Sequence, residues 1–149
     1  MKHRNQAKNF LEIKIGDTAE FEVKIEEKNH LTFSELVGDY SPIHFEKEYY
    51  TQTKYGQKIG YGFLLMSFLS RLYGEYLPGG SSICIKQEGK WIKPYFIGDT
   101  IKIAAIVINK VNSTHFVEVE TKMYRNSHEC VFIGKGLVQI LDIDFKSLK

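Results

Sequence analysis

The sequence predicts an α+β domain in which an antiparallel sheet of about five strands curls around one long apolar helix. Three observations carry this. From Gly62 to Tyr73 only Ser67, Ser70 and Arg71 interrupt the apolar side chains, so the helix has little that wants water on any face and is expected to be buried. An alternating segment precedes it, and four strand-like segments follow with no further helix between them. The run from Gly62 to Tyr73 is shorter than the roughly 20 residues that a bilayer span needs, which places it in the interior of a soluble domain.

The chain of 149 residues fits a single domain, 1–149, long enough to bury a real core. Lys and Arg total 20 against 18 Asp and Glu. The charges are interspersed, so the basic stripe that nucleic acid binding requires is missing. Cys84 and Cys130 lie far apart inside strand-like segments, without a CxxC or a histidine cluster. They read as two buried free thiols rather than a metal site or a disulfide framework. The opening MKHRNQAKNF is basic but leads into no apolar signal-like stretch, and the expectation is a cytoplasmic protein with no membrane association.

In chain order, residues 18 to 26 place Ala19, Phe21, Val23 and Ile25 on one face of a strand. Thr32 and Glu35 have the spacing of a capping box, which predicts a short helix carrying Phe33, Leu36 and Val37 and closed by Gly38. Asp39 to His44 is expected to be a loop pinned by Pro42. Glu46 to Thr53 is expected to form two turns of exposed helix. The central helix follows Gly60-Tyr61-Gly62 and ends near Leu77, before Pro78-Gly79-Gly80. Strands at 82–92, 100–111, 115–124 and 130–141 alternate apolar and polar residues between turn-forming pairs, and are expected to pair in succession as a meander. A sheet with open edges favours a homodimer.

Asp39 and His44 share one pinned segment, so both side chains can point into the same cleft and share a water molecule, the arrangement needed for acid–base work. The same residues also fit a common Gly-Asp turn and a hydrogen-bonded, partly buried histidine. Gly60-Tyr61-Gly62 opens the apolar helix, where unpaired amides suit a negative oxygen. Alternatively, the glycines only let the helix pass close to the sheet. Ser67, Ser70 and Gly74 form a small, weakly polar face. Ser70 either bonds its own helix or reaches the Asp39–His44 loop, and neither serine lies in a G-x-S-x-G elbow. His3, His30, His115 and His128 read as solvated, as do Lys86, Lys90 and Lys93.

The stretches GDYSPIHFEKEYY at 38–50, IGYGFLLMSFLSRLYGEYLPG at 59–79 and KPYFIGDTI at 93–101 together resemble the MaoC-like hot-dog dehydratases, specifically the single-domain (R)-specific enoyl-CoA hydratases. The first is close to the family's GDxNPxHxD pattern, and the resemblance spans nearly the whole chain in order. It implies a hot-dog fold, a homodimer with the acyl-thioester tunnel near its interface, and no metal or redox cofactor. It also implies reversible syn hydration of a trans-2-enoyl thioester, carried by CoA or acyl carrier protein, to the (R)-3-hydroxyacyl product. Asp39 and His44 match the catalytic pair, Gly62 the amide donor to the thioester carbonyl, and Ser70 a supporting serine. The chain departs from the pattern at Ser41, where the family usually has Asn, and at Tyr61, where it usually has His. Tyr61 is expected to narrow or reshape the acyl pocket. The rival readings are a thioesterase on the same fold, for which the only helix carboxylate is Glu75, at the far end from Gly62, and an acyl-thioester binding module without turnover.

Overall fold

The computed structural model describes residues 9–141. A 3-10 turn at Phe10–Glu12 leads into strand β1, Thr18–Lys24. Helix α1 spans Glu27–Val37, and two single-turn helices, α2 at Pro42–Phe45 and α3 at Lys47–Tyr50, lead to the central helix α4, Gly62–Arg71. Strands β2 (Ser82–Trp91), β3 (Thr100–Val111), β4 (Phe116–Arg125) and β5 (Glu129–Ile140) complete the chain. All five strands join one antiparallel sheet in the order β1-β3-β4-β5-β2.

The strand positions follow the alternation in the sequence, but their pairing does not. Only β3, β4 and β5 form a meander. β2 pairs with β5 instead of β3, and β1 takes the place beside β3. Local periodicity says which face of a strand is apolar and nothing about which neighbour it takes. Ile101, Ile103, Val107, Val117, Val119, Met123, Phe132 and Val138 all lie within the buried core. Against them α4 buries Leu64, Leu65 and Leu69, and Leu72 continues the row.

Helix α4 is buried on one side only. Phe63, Ser67, Ser70 and Gly74 form an exposed stripe at spacings of three and four residues, so within one chain the helix is not enclosed as its composition predicts. Past Arg71 the helix widens into a π-type turn over Leu72–Tyr76, closed by the Leu77 amide on the Leu72 carbonyl at 2.8 Å. It ends at Leu77, as the Pro-Gly-Gly sequence requires. No described helix is long and apolar enough to cross a membrane.

Three further expectations are corrected. Helix α1 begins at Glu27, five residues before Thr32, and Asn29 Oδ1 receives the backbone N–H of Glu26 at 2.8 Å. Gly38 does end it, at φ +73° with its amide on Ser34 O at 2.7 Å. The helix expected over Glu46 to Thr53 is the single turn α3. Neither cysteine is a buried thiol: Cys84 is exposed on the edge strand and Cys130 is half-buried.

The connection between β2 and β3 fixes where α4 starts. Ile59 bridges Phe96, the Gly60 amide donates to Tyr95 O at 2.9 Å, and the Tyr95 hydroxyl donates to Tyr61 O at 2.8 Å. A side chain on Gly60 would place its Cβ 2.2 Å from the Tyr95 ring, which is 2% exposed. Gly60 is therefore a close-approach glycine. Gly60→Ala is expected to lower unfolding stability by about 1–3 kcal/mol through overpacking, measured by denaturant titration against Gly74→Ala, whose added Cβ meets nothing within 4 Å and whose backbone is not left-handed.

Candidate active site

Asp39 follows the helix-ending glycine directly. The extended Ser41 before Pro42, and Pro42 at the first position of α2, turn the expected loop into one helical turn that carries His44. Asp39 Oδ1 accepts from the Ser41 amide at 3.0 Å and from Ser41 Oγ at 2.5 Å. These two bonds, with the Ser41 hydroxyl first, hold the Asp39 carboxyl below its ordinary range despite some desolvation, and the charge of His44 adds to the effect. Asp39 is therefore an ionised carboxylate at neutral pH. Ser41, which stands where the family pattern usually has Asn, supplies this local clamp.

His44 is oriented by the segment before α4. Its Nδ1 lies 2.8 Å from Ile59 O. A carbonyl only accepts, so Nδ1 carries the proton and Nε2 is the nitrogen left for a water or a substrate. The Tyr61 ring packs against the imidazole at a tilt of 35° with centroids 3.9 Å apart, and its hydroxyl donates to Asp39 O at 2.5 Å. Tyr61 is 3% exposed and lies beneath the pair instead of in front of it. It contacts both members of the pair, and burial pushes its phenol pKa up.

Under Tyr61 lies His30, on α1. It is fully buried, stacked on Tyr61 at 4.6 Å, and its Nε2–H donates to His44 O at 3.0 Å. The expectation of a solvated His30 is thus wrong, because the helix begins a turn earlier than the Thr32 box suggests. The signal was present: His30, Phe33 and Ser34 have helical spacing. Desolvation, ahead of the charge of Lys58, lowers the pKa of His30, so it stays neutral. His115 is not fully solvated either, since it stacks on Phe10 at 4.5 Å. His128 is exposed, and His3 lies outside the described residues.

Gly62 occupies the first position of α4, where backbone amides have no helical acceptor. It borders a cavity of about 280 Å³ lined by Tyr55, Ile59, Gly60, Trp91, Pro94 and Tyr95, among others. Trp91 Nε1–H donates to Gly62 O at 2.9 Å, and a Cβ on Gly62 would sit 2.8 Å from that nitrogen. The close-approach reading holds at both glycines, and Gly62 also borders this cavity. A larger depression of about 490 Å³ lies over Ala104 and Ile106 on β3, beside β1 and β4, and contains none of these residues.

Asp39, Ser41, His44 and Tyr61 are thus connected by hydrogen bonds and ring contacts, with Gly62 next to Tyr61 in the chain, whereas Ser70 is outside this set. It lies exposed on the outward stripe, about 12 Å along the helix from Gly62, with no hydrogen bond to Asp39 or His44 within the chain. Glu75 is exposed at the opposite end of the helix from Gly62. Chemically, the cluster can activate a water between an ionised carboxylate and an imidazole nitrogen, and can offer an amide to an oxygen that gains charge.

Comparison with known proteins gives consistent matches. The sequence model described as "MaoC like domain" matches residues 11–127. An (R)-specific enoyl-CoA hydratase of Rhodospirillum rubrum is 30% identical over 130 residues, covering 87% of this chain and 85% of the relative. A mitochondrial 3-hydroxyacyl-[acyl-carrier-protein] dehydratase of Arabidopsis thaliana is 24% identical, covering 87% and 78%. Among solved structures, the (R)-hydratase of A. caviae superposes with a TM-score of 0.82 at 23% identity, over 87% of this chain and 98% of that one. The fold is that of the hot-dog hydratases.

Two measurements test the electrostatics. Ser41→Ala should raise the Asp39 titration point towards an ordinary carboxylate, read by NMR of the side-chain carboxyl. For His30 the folded pKa lies below the unfolded 6.5, so the unfolded chain binds more protons below that pH. The stability contributed by the neutral His30 is complete above pH 6.5 and is lost as the pH falls from there towards the folded value. Thermal melts should show this decline, and His30→Leu should flatten it.

Proposed function

The chain belongs to the family of MaoC-like domains, and on that premise we propose that Asp39, His44 and the Gly62 amide carry out its chemistry. That chemistry is the reversible hydration of an enoyl thioester to a 3-hydroxyacyl thioester. The observation that best supports this assignment is the way the pair is held: Asp39 by Oδ1 and His44 by Nδ1, which leaves Oδ2 and Nε2 for a shared water.

In the hydration direction Asp39 takes a proton from the water as its oxygen adds to C3 of the trans-2-enoyl group. His44, in its protonated form, holds the water and gives its Nε2 proton to C2 on the same face, which accounts for the syn (R)-3-hydroxy product. The proton on Asp39 then returns to His44, restoring both groups. The Gly62 amide donates to the thioester oxygen, which carries the enolate charge between the two steps. An oxyanion donor of this kind contributes roughly 3–4 kcal/mol to the transition state. Ser41 and Tyr61 position the pair. The exposed place of Glu75 supports hydration over thioester hydrolysis, which calls for a carboxylate near the thioester carbonyl. The thioester carrier is CoA or acyl carrier protein, as in the names of the relatives.

We place the protein in a homodimer. Edge strand β2 exposes Ile83 at 47% and Ile85 at 49% beside the outward stripe of α4, and an apolar edge of this kind favours pairing with a second copy. Sedimentation should give twice the chain mass, and Ile83→Lys with Ile85→Lys should shift it to the monomer.

The deciding experiment mixes the protein with crotonyl-CoA, and separately with crotonyl-carrier protein, and follows enoyl absorbance and free thiol. Loss of absorbance without thiol release is expected; thiol release, or no change with either carrier, would sink the assignment. Asp39→Asn should reduce turnover about 10²- to 10⁴-fold with a thermal midpoint close to wild type, because this half-exposed carboxylate contributes little to the core.

A further inference from the structure

We propose that His30 is a positioning residue for His44, a buried second imidazole that fixes the ring tautomer and orientation of the first. The inference rests on the reading of His44 above. Helix α2 is one turn of four residues and contains no buried residue, so the direction of the His44 side chain is set by what surrounds it. His30 Nε2–H holds the His44 carbonyl at 3.0 Å, Ile59 O holds the ring at Nδ1, and Tyr61 covers one ring face. Tyr61 is itself stacked against His30, and the three rings form a triangle with centroids 4.6, 3.9 and 5.9 Å apart. His30 therefore acts on His44 twice, through the main chain and through the Tyr61 ring that touches them both.

The hydrogen-bond inventory of His30 points the same way. Its Nδ1 is buried and has no partner among the described residues. A buried polar nitrogen without a partner is unfavourable, and an apolar side chain of similar volume would fill this place without that cost. What His30 supplies that an apolar residue does not is the one bond to the His44 carbonyl. Without that bond α2 can rotate, the Nδ1–H bond to Ile59 lengthens, and His44 Nε2 is no longer held in a fixed direction towards the catalytic water.

The test compares His30→Gln with His30→Met, two side chains of nearly equal shape of which only Gln keeps an N–H donor at the place of Nε2. In the wild type, NMR of ¹⁵N-labelled histidine at pH 8 should show His44 as the single Nδ1–H tautomer. His30→Met should give a mixture of tautomers and a kcat reduced about 10- to 100-fold, the cost of small misplacement at a reacting centre, with KM within twofold. His30→Gln should restore both readings, which a role in folding alone would not require. An unchanged His44 tautomer in folded His30→Met, or a His30→Gln that falls as far as His30→Met, would overturn the proposal. Should His30→Met not fold, His30→Gln against the wild type decides: a lost tautomer in folded His30→Gln overturns it and a retained one supports it. The tautomer reading needs no turnover. A wild type that fails to hydrate the thioester therefore overturns the catalytic assignment separately.

Discussion

The crossing of the Ile59–Gly62 segment over the β2–β3 connection holds both the fold and the site in place. A backbone bridge at Ile59, a glycine pressed on the Tyr95 ring, and hydroxyl and indole donors to the Tyr61 and Gly62 carbonyls fix four successive residues. Each such bond adds only about 1 kcal/mol to stability, so their importance is geometric. The first residue of this segment supplies the carbonyl that orients His44, the third supplies the ring beneath the pair, and the fourth supplies the free amide at the start of α4. A shift of this joint would move all three relative to Asp39.

The two departures from the family pattern become intelligible as parts of this arrangement. Ser41 is shorter than asparagine, yet it is close enough in sequence to clamp Asp39 with both its hydroxyl and its amide. Tyr61 occupies space beneath the pair that is buried and partly polar, with the Asp39 carbonyl above its hydroxyl and His30 behind its ring. A phenol there reaches a backbone oxygen, stacks on His30 and packs at a tilt against His44.

Much of this was legible from the residues. The alternation from Ile101 to Val107 and from Val117 to Met123 placed β3 and β4 on the right faces because side-chain direction in a strand depends only on its own period. Gly38 closed α1, and Leu77 marked the end of the helix region, because both depend on local backbone chemistry. What was not legible depended on distant contacts. The pairing of β2 with β5, the burial of His30 under Tyr61, and the outward face of Ser70 are decided by packing between segments far apart in sequence. His44 fell between the two cases: Pro42 was read correctly as a pin, but a proline at a first helical position pins a turn of helix as readily as a loop.

The exposed stripe of α4 carries a last implication for how the site is completed. Its residues after Phe63 are Ser67, Ser70 and Gly74, small enough for another surface to come close without displacing bulky chains. At the helix start the stripe meets Trp91, the final residue of β2, whose indole contacts Phe63 at 5.3 Å and holds the Gly62 carbonyl. One end of the open strand edge is therefore also a wall of the cavity beside the proposed oxyanion amide. In the proposed dimer, a second copy paired along β2 would bury Phe63 and Trp91, lower the local dielectric around Gly62 and strengthen its hold on a developing negative charge. Association and catalysis would then share one surface, and the apolar composition of α4 would be accounted for on both of its faces.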